Sequence, residues 1–160
     1  MSRKHPIIVV TGSSGAGTTT VTSVFENIFR RESIRAAVIE GDAFHRFSRR
    51  EMNDRIERGD AQGIPVSHFG PDTNLFEELA GLFREYSQTG RGKRRKYLHD
   101  EAEALAYAQP PGTFTPWEDL PADSDLLFYE GLHGAVATEG ANIAQYPDLL
   151  IGVVPVINLE

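Results

Sequence analysis

Cysteine is absent from the 160 residues, which excludes a disulfide framework and thiol chemistry. Long apolar runs are also missing. None approaches the roughly 20 residues that a helix needs to cross a bilayer, so no membrane association is expected. The opening MSRKHP leads straight into a strand-like segment without a signal-peptide core, and the expected location is the cytoplasm. Positive charge is absent from the later part of the chain. All 16 Lys and Arg residues lie at or before Lys96, whereas 11 of the 23 acidic residues follow it. A continuous basic surface for nucleic acid is therefore not expected, and an anionic ligand would be gripped from the earlier part. The hydrophobic content of 40% and the length fit one domain with a sizeable core.

What is present centres on PIIVVTGSSGAGTTT, Pro6 to Thr20. Ile7–Val10 is a β-branched run suited to a buried central strand. Gly12, Ser13, Ser14, Gly15, Ala16 and Gly17 follow, and then Thr18, Thr19 and Thr20. Strand, Gly-x-x-x-x-Gly loop and helix start together form the layout of a phosphate-binding loop. Glycines let backbone N–H groups turn towards a polyphosphate, and the helix adds the positive end of its dipole. Thr19 stands where a hydroxyl would meet Mg²⁺. Thr18 occupies the position that normally holds Lys, so the usual cation must come from elsewhere. The competing reading is a glycine-rich turn that binds nothing.

A helix is expected from Thr18 to Glu32, with Val21, Val24, Phe25, Ile28 and Phe29 on one apolar face. AAVIE, Ala36 to Glu40, reads as a second strand ending in Gly41-Asp42. The carboxyl ends of strands are where open α/β sheets place their chemistry, which singles out Asp42. His45, Arg46, Arg49 and Arg50 follow closely, either as a solvated basic helix face or as a grip on a phosphate ester. Residues 59–71 read as loop. Asp72 to Gln88 reads as a helix with a capping box at Asn74 and Glu77 and a stop at Gly90. The run RGKRRK, Arg91 to Lys96, is either a solvated loop or a second basic element for a phosphorylated substrate. LLFY, Leu126 to Tyr129, is a third strand ending in Glu130, an acid placed to hold Mg²⁺. Leu149–Val154 is a fourth strand. Helices between the strands imply an α/β fold of the P-loop NTPase type, a parallel sheet with helices on both faces.

The blocks VTGSSGAGTTTV, IEGDAFHRF, SHF, FREYSQTGRGKRRKYLHD, LLFYEGLHGAV and IGVVPVINLE resemble the bacterial type of the phosphoribulokinase family over nearly the whole chain. More distant relatives, the uridine and pantothenate kinases, share only the loop. The resemblance implies transfer of the γ-phosphoryl of ATP to ribulose 5-phosphate in carbon fixation. It implies Asp42 as the base, His45, Arg49, Tyr97 and His99 around the sugar phosphate, and Thr19 with Glu130 at Mg²⁺. It also implies a homo-oligomer and a regulatory role for Arg31, and it accounts for Thr18. Asn53 stands where relatives often carry Lys. The family chain continues beyond Glu160, so residues 1–160 are expected to be the N-terminal part of a longer fold. A nucleoside or pantothenate kinase, and a non-catalytic nucleotide-binding or assembly module, are the alternatives.

Overall fold

The computed structural model describes residues 4–13 and 15–155. Ser14 and residues 156–160 lie outside the described residues. Four strands form a parallel sheet: β1 (Ile7–Gly12), β2 (Ala36–Glu40), β5 (Leu126–Gly131) and β6 (Leu149–Val153), in the order β2-β5-β1-β6. β1 is central, with Val9 opposite both Tyr129 and Leu150. β2 and β5 run level, with Glu40 opposite Glu130, so their carboxyl ends finish side by side.

Alternation along the strands sends side chains to two faces. On one face, Val10, Leu126 and Phe128 pack against Phe29 and the partly buried Val21 and Phe25 of α1 (Thr18–Arg31). The Phe25, Phe29 and Phe128 rings lie 5.2 to 5.7 Å apart, within the range of favourable aromatic pairs. On the other face, Ile7, Val9, Leu127 and Tyr129 pack against Leu79, Leu82, Phe83 and Tyr86 of α3 (Phe76–Thr89). The expected α/β layering is therefore present.

Several local expectations change. Val24 and Ile28 are exposed, because the sheet meets only the Val21–Phe25–Phe29 stripe of α1. α2 (Arg49–Gln62) extends into the stretch read as loop and stops at Gly63, whose φ is 68°. Its start is fixed by Ser48 and Glu51, which form a capping box. The box expected at Asn74 and Glu77 does not form. Asn74 is buried, and its amide donates to the His68 and Gly70 carbonyls, so α3 starts later, at Phe76, without a side-chain cap. Gly90 does stop α3, at φ 69°. A short helix, α4 (Glu101–Tyr107), and a small two-stranded antiparallel sheet of β3 (Lys93–Arg94) and β4 (Glu118–Asp119) complete the elements. No helix lies between β5 and β6 among the described residues, where one was expected. Turns at Val136 to Tyr146 make that crossing instead, and Ile143 is buried there.

Candidate functional site

The carboxyl ends of β1, β2 and β5 open into a cleft of about 1310 Å³. The glycine loop forms one side of it. Gly15 and Gly17 have φ values of 79° and 96°, and a Cβ at either would project into open space. No side chain caps the N-terminus of α1, whose positive end meets the loop. Gly12 is held by packing: a Cβ there would lie 2.6 Å from the Val153 carbonyl. Ser13, Thr18 and Thr19 line the cleft. Ala16 lies in the turn, its N–H donating to the Ser13 carbonyl at 3.0 Å, and Thr20 begins the helix ladder by donating to Gly17.

The floor is made where β2 and β5 end. A Cβ on Gly131 would sit 2.7 Å from the Gly41 Cα, so the two strand ends touch through glycines. That approach brings Glu40, Asp42 and Glu130 into one cleft. After Gly41 the chain makes a 3₁₀ turn, Gly41–Phe44, which leaves Asp42 half exposed. Asp42 Oδ2 lies 3.0 Å from His99 Nε2, and Asp42 Oδ1 lies 3.6 Å from His45 Nε2. Glu103 fixes the other side of His99, accepting from its main-chain N–H at 2.8 Å and lying 3.2 Å from Nδ1.

The two histidines are pushed in opposite directions. Burial lowers His45, and the charges of His68, His99 and Arg95 add to that against the opposing pull of Asp42. Burial also lowers His99, but hydrogen bonds to and charges on Asp42 and Glu103 outweigh it, so His99 is raised.

A side pocket of about 210 Å³ adjoins the cleft through His45 and His68, and Arg49, Asn53 and Tyr97 line it. Arg49 donates to the His99 carbonyl at 2.8 Å. The buried Tyr97 ring packs edge-on against His99 at 5.0 Å and His45 at 5.9 Å. Asp42, His45, Arg49, Tyr97 and His99, separated by up to 57 positions, thus converge. Arg31 does not join them; it is exposed at the end of α1 and pairs with Glu32.

The basic run is divided between structural partners. Arg94 pairs with Glu118 across the two-stranded sheet, and Arg95 turns inward. Four of the five histidines line the cleft, and two of them, His68 and His133, were given no role from the sequence. Glu103 was missed as well. A lone His or Glu far along the chain carries no local signal of convergence.

Oxygen donors from Thr19 and Glu130 line the cleft beside the glycine loop, a donor set that suits a hard cation such as Mg²⁺ with water and phosphate completing its shell. No cluster of three or more candidate metal-binding side chains occurs among the described residues. No helix among them is long and apolar enough to cross a membrane.

A model of the phosphoribulokinase / uridine kinase family matches residues 7–160. The chain belongs to that family. It is 62% identical to a chromosomal phosphoribulokinase of Cupriavidus necator and 63% identical to a phosphoribulokinase of Nitrobacter vulgaris, covering 100% of itself and 55% and 56% of those proteins. The chain therefore spans about half the length of the curated relatives it matches. The solved phosphoribulokinase of Rhodobacter spheroides superposes with a TM-score of 0.85 at 52% identity, over 99% of this chain and 54% of that one. A possible uridine kinase from Bacillus stearothermophilus shares the fold alone, with a TM-score of 0.60 at 16% identity. Within the phosphoribulokinase / uridine kinase family, this chain keeps the glycine loop and the acidic end of β5 on neighbouring strands.

Proposed function

We propose that this chain carries the nucleotide and acceptor sites of a kinase that phosphorylates ribulose 5-phosphate with ATP, yielding ribulose 1,5-bisphosphate. The observation that carries the reading is the placement of Asp42 in one cleft with the glycine loop, beside a pocket holding His45, Arg49 and Tyr97. Asp42 accepts the proton of the attacking sugar hydroxyl. Arg49 and His45 take the phosphate that the substrate already bears, and His99 orients Asp42. The backbone N–H groups of the loop, together with Ser13 and Thr18 to Thr20, hold the ATP phosphates. Mg²⁺, when bound by Thr19 and Glu130, neutralises charge on those phosphates. Phosphoryl transfer needs little more from the protein than positioning and charge neutralisation. Arg31, exposed at the end of α1 and paired with Glu32, is assigned a regulatory contact outside the cleft.

The arginine-bearing side pocket favours a phosphorylated acceptor over a nucleoside. The test is a direct comparison of ribulose 5-phosphate and uridine, by calorimetry and by a coupled kinase assay, with the Rhodobacter enzyme as a full-length reference. Binding of the sugar phosphate and not of uridine is expected. Preference for uridine would move the protein to the nucleoside kinases.

A further inference from the structure

The basic run contains one arginine that behaves unlike a ligand-seeking cation. Arg95 follows β3 and reaches across the fold to the 3₁₀ turn behind Asp42. Its Nε donates to the Ala43 carbonyl at 2.8 Å and its Nη2 to the His45 carbonyl at 2.7 Å. Its guanidinium lies 3.7 Å from the Phe114 ring centroid and 4.7 Å from that of Trp117. Trp117 in turn packs edge-on against Phe44, the residue between the two carbonyls, at 5.7 Å. The turn has no basic residue of its own in its last turn; the Ala43 carbonyl within it and the His45 carbonyl just after it accept from Arg95 instead.

We infer that Arg95 is a positioning residue that sets the acceptor site by clamping the main chain between Asp42 and His45. The inference rests on the reading of those two residues as acceptor contacts. A planar fork with two donors suits this task, because it fixes both carbonyls relative to each other as well as to the small sheet. Burial costs the cation solvation and brings its pKa down to about 10, with the charge of Glu78 opposing. Two charge-assisted hydrogen bonds and two aromatic faces offset that cost. Lys cannot reproduce it, since an ammonium neither fills the slot between the rings nor bonds both carbonyls with fixed geometry. A misplacement of about 1 Å in such a constellation can cost 10²-fold in rate. Arg95 thus links the small sheet of β3 and β4 to the acceptor side of the cleft and leaves the nucleotide side untouched.

The test uses Arg95→Ala and Arg95→Lys in the 160-residue chain. Calorimetry reads affinity for ribulose 5-phosphate and for ATP separately, and hydrogen exchange reads the His45 amide, which donates to the Asp42 carbonyl at 3.2 Å. Arg95→Ala is expected to weaken sugar phosphate binding by at least about tenfold with ATP binding within twofold, and to speed exchange at His45. Added guanidinium ion at millimolar concentration is expected to restore both by refilling the slot, whereas methylammonium is not. Arg95→Lys, which keeps the charge and guards against a variant that fails to fold, is expected to show the same split. Unchanged sugar phosphate affinity with unchanged exchange, or parallel loss of ATP and sugar phosphate affinity, would overturn the inference. If the unaltered chain binds no sugar phosphate, the proposed function fails. The exchange at His45 and its rescue by guanidinium then decide the clamp on their own, faster rescued exchange supporting it and unaltered exchange rejecting it.

Discussion

Asp42 sits between His45 and His99, two rings whose proton affinities move apart. The folded-state pKa of His99 lies above its unfolded value of about 6.5. Its contact with Asp42 therefore contributes stability fully below that value and loses it as pH rises through the folded pKa. His45 has the opposite sense. Its folded pKa lies below about 6.5, so the unfolded chain binds more protons and stability falls as pH drops through that window. An NMR titration is expected to place His99 above and His45 below a free imidazole, and the reverse order would refute the arrangement. Asp42→Asn, made in a hybrid joining this chain to the remaining length of a full-length phosphoribulokinase, is expected to lower turnover by about 10²–10⁴-fold. ATP affinity should stay within twofold, and near-normal turnover would remove Asp42 from the proton transfer.

At the scale of elements, α2 gains its start from Ser48 and Glu51 and presents Arg49, Met52 and Asn53 to the side pocket. Its first residue is pinned again where the Arg49 N–H donates to the Gly112 carbonyl at 2.8 Å. Hydrogen bonds to Ser48 lower the pKa of Glu51, so the box holds a carboxylate. Ser48→Ala is expected to cost about 1 kcal/mol in chemical denaturation, the usual cost of a lost N-cap. The same change should weaken sugar phosphate binding more than ATP binding, because α2 touches only the acceptor pocket. Equal losses for both ligands would show that α2 stabilises the fold without ordering that pocket.

For the molecule as a whole, the cleft draws most of its lining from the part of the chain that carries every Lys and Arg, yet takes none of those cations. No Lys or Arg lines the main cleft among the described residues, and Thr18 supplies no cation to the loop. Anion binding by backbone donors needs none, so sulfate or nucleotide is expected within hydrogen-bond range of the Gly15 to Thr19 amides in a soaked crystal. A vacant loop at high ligand concentration would contradict this. Turnover is another matter, since one missing cationic group at the transferring phosphoryl can cost about 10³–10⁵-fold. The 160-residue chain is therefore expected to phosphorylate ribulose 5-phosphate at least about a thousandfold more slowly than a full-length relative, measured at saturating ATP, Mg²⁺ and sugar phosphate. Turnover within tenfold would show that the cleft is electrostatically complete.

The sequence by itself determined the four strand segments and the glycine loop, because each is local, whereas the strand order β2-β5-β1-β6 joins residues far apart in the chain. Short apolar runs specify strands, and Gly15 and Gly17 are demanded by backbone angles that other residues rarely adopt. It also marked Asp42 and Glu130, since each lies at the carboxyl end of such a strand. Only the tertiary structure decided where the cations of the second basic run go. Arg91 to Lys96 is one basic run on paper, yet packing sends Arg94 to a neighbouring strand and Arg95 into an aromatic slot under Asp42. Only the fold decided that Asn74 would bond loop carbonyls instead of capping α3. It also decided that His68, Glu103 and His133 would share a cleft with Asp42. Partners tens of residues apart are chosen by burial and by the competition for hydrogen bonds, and neither is written in a residue's immediate neighbours.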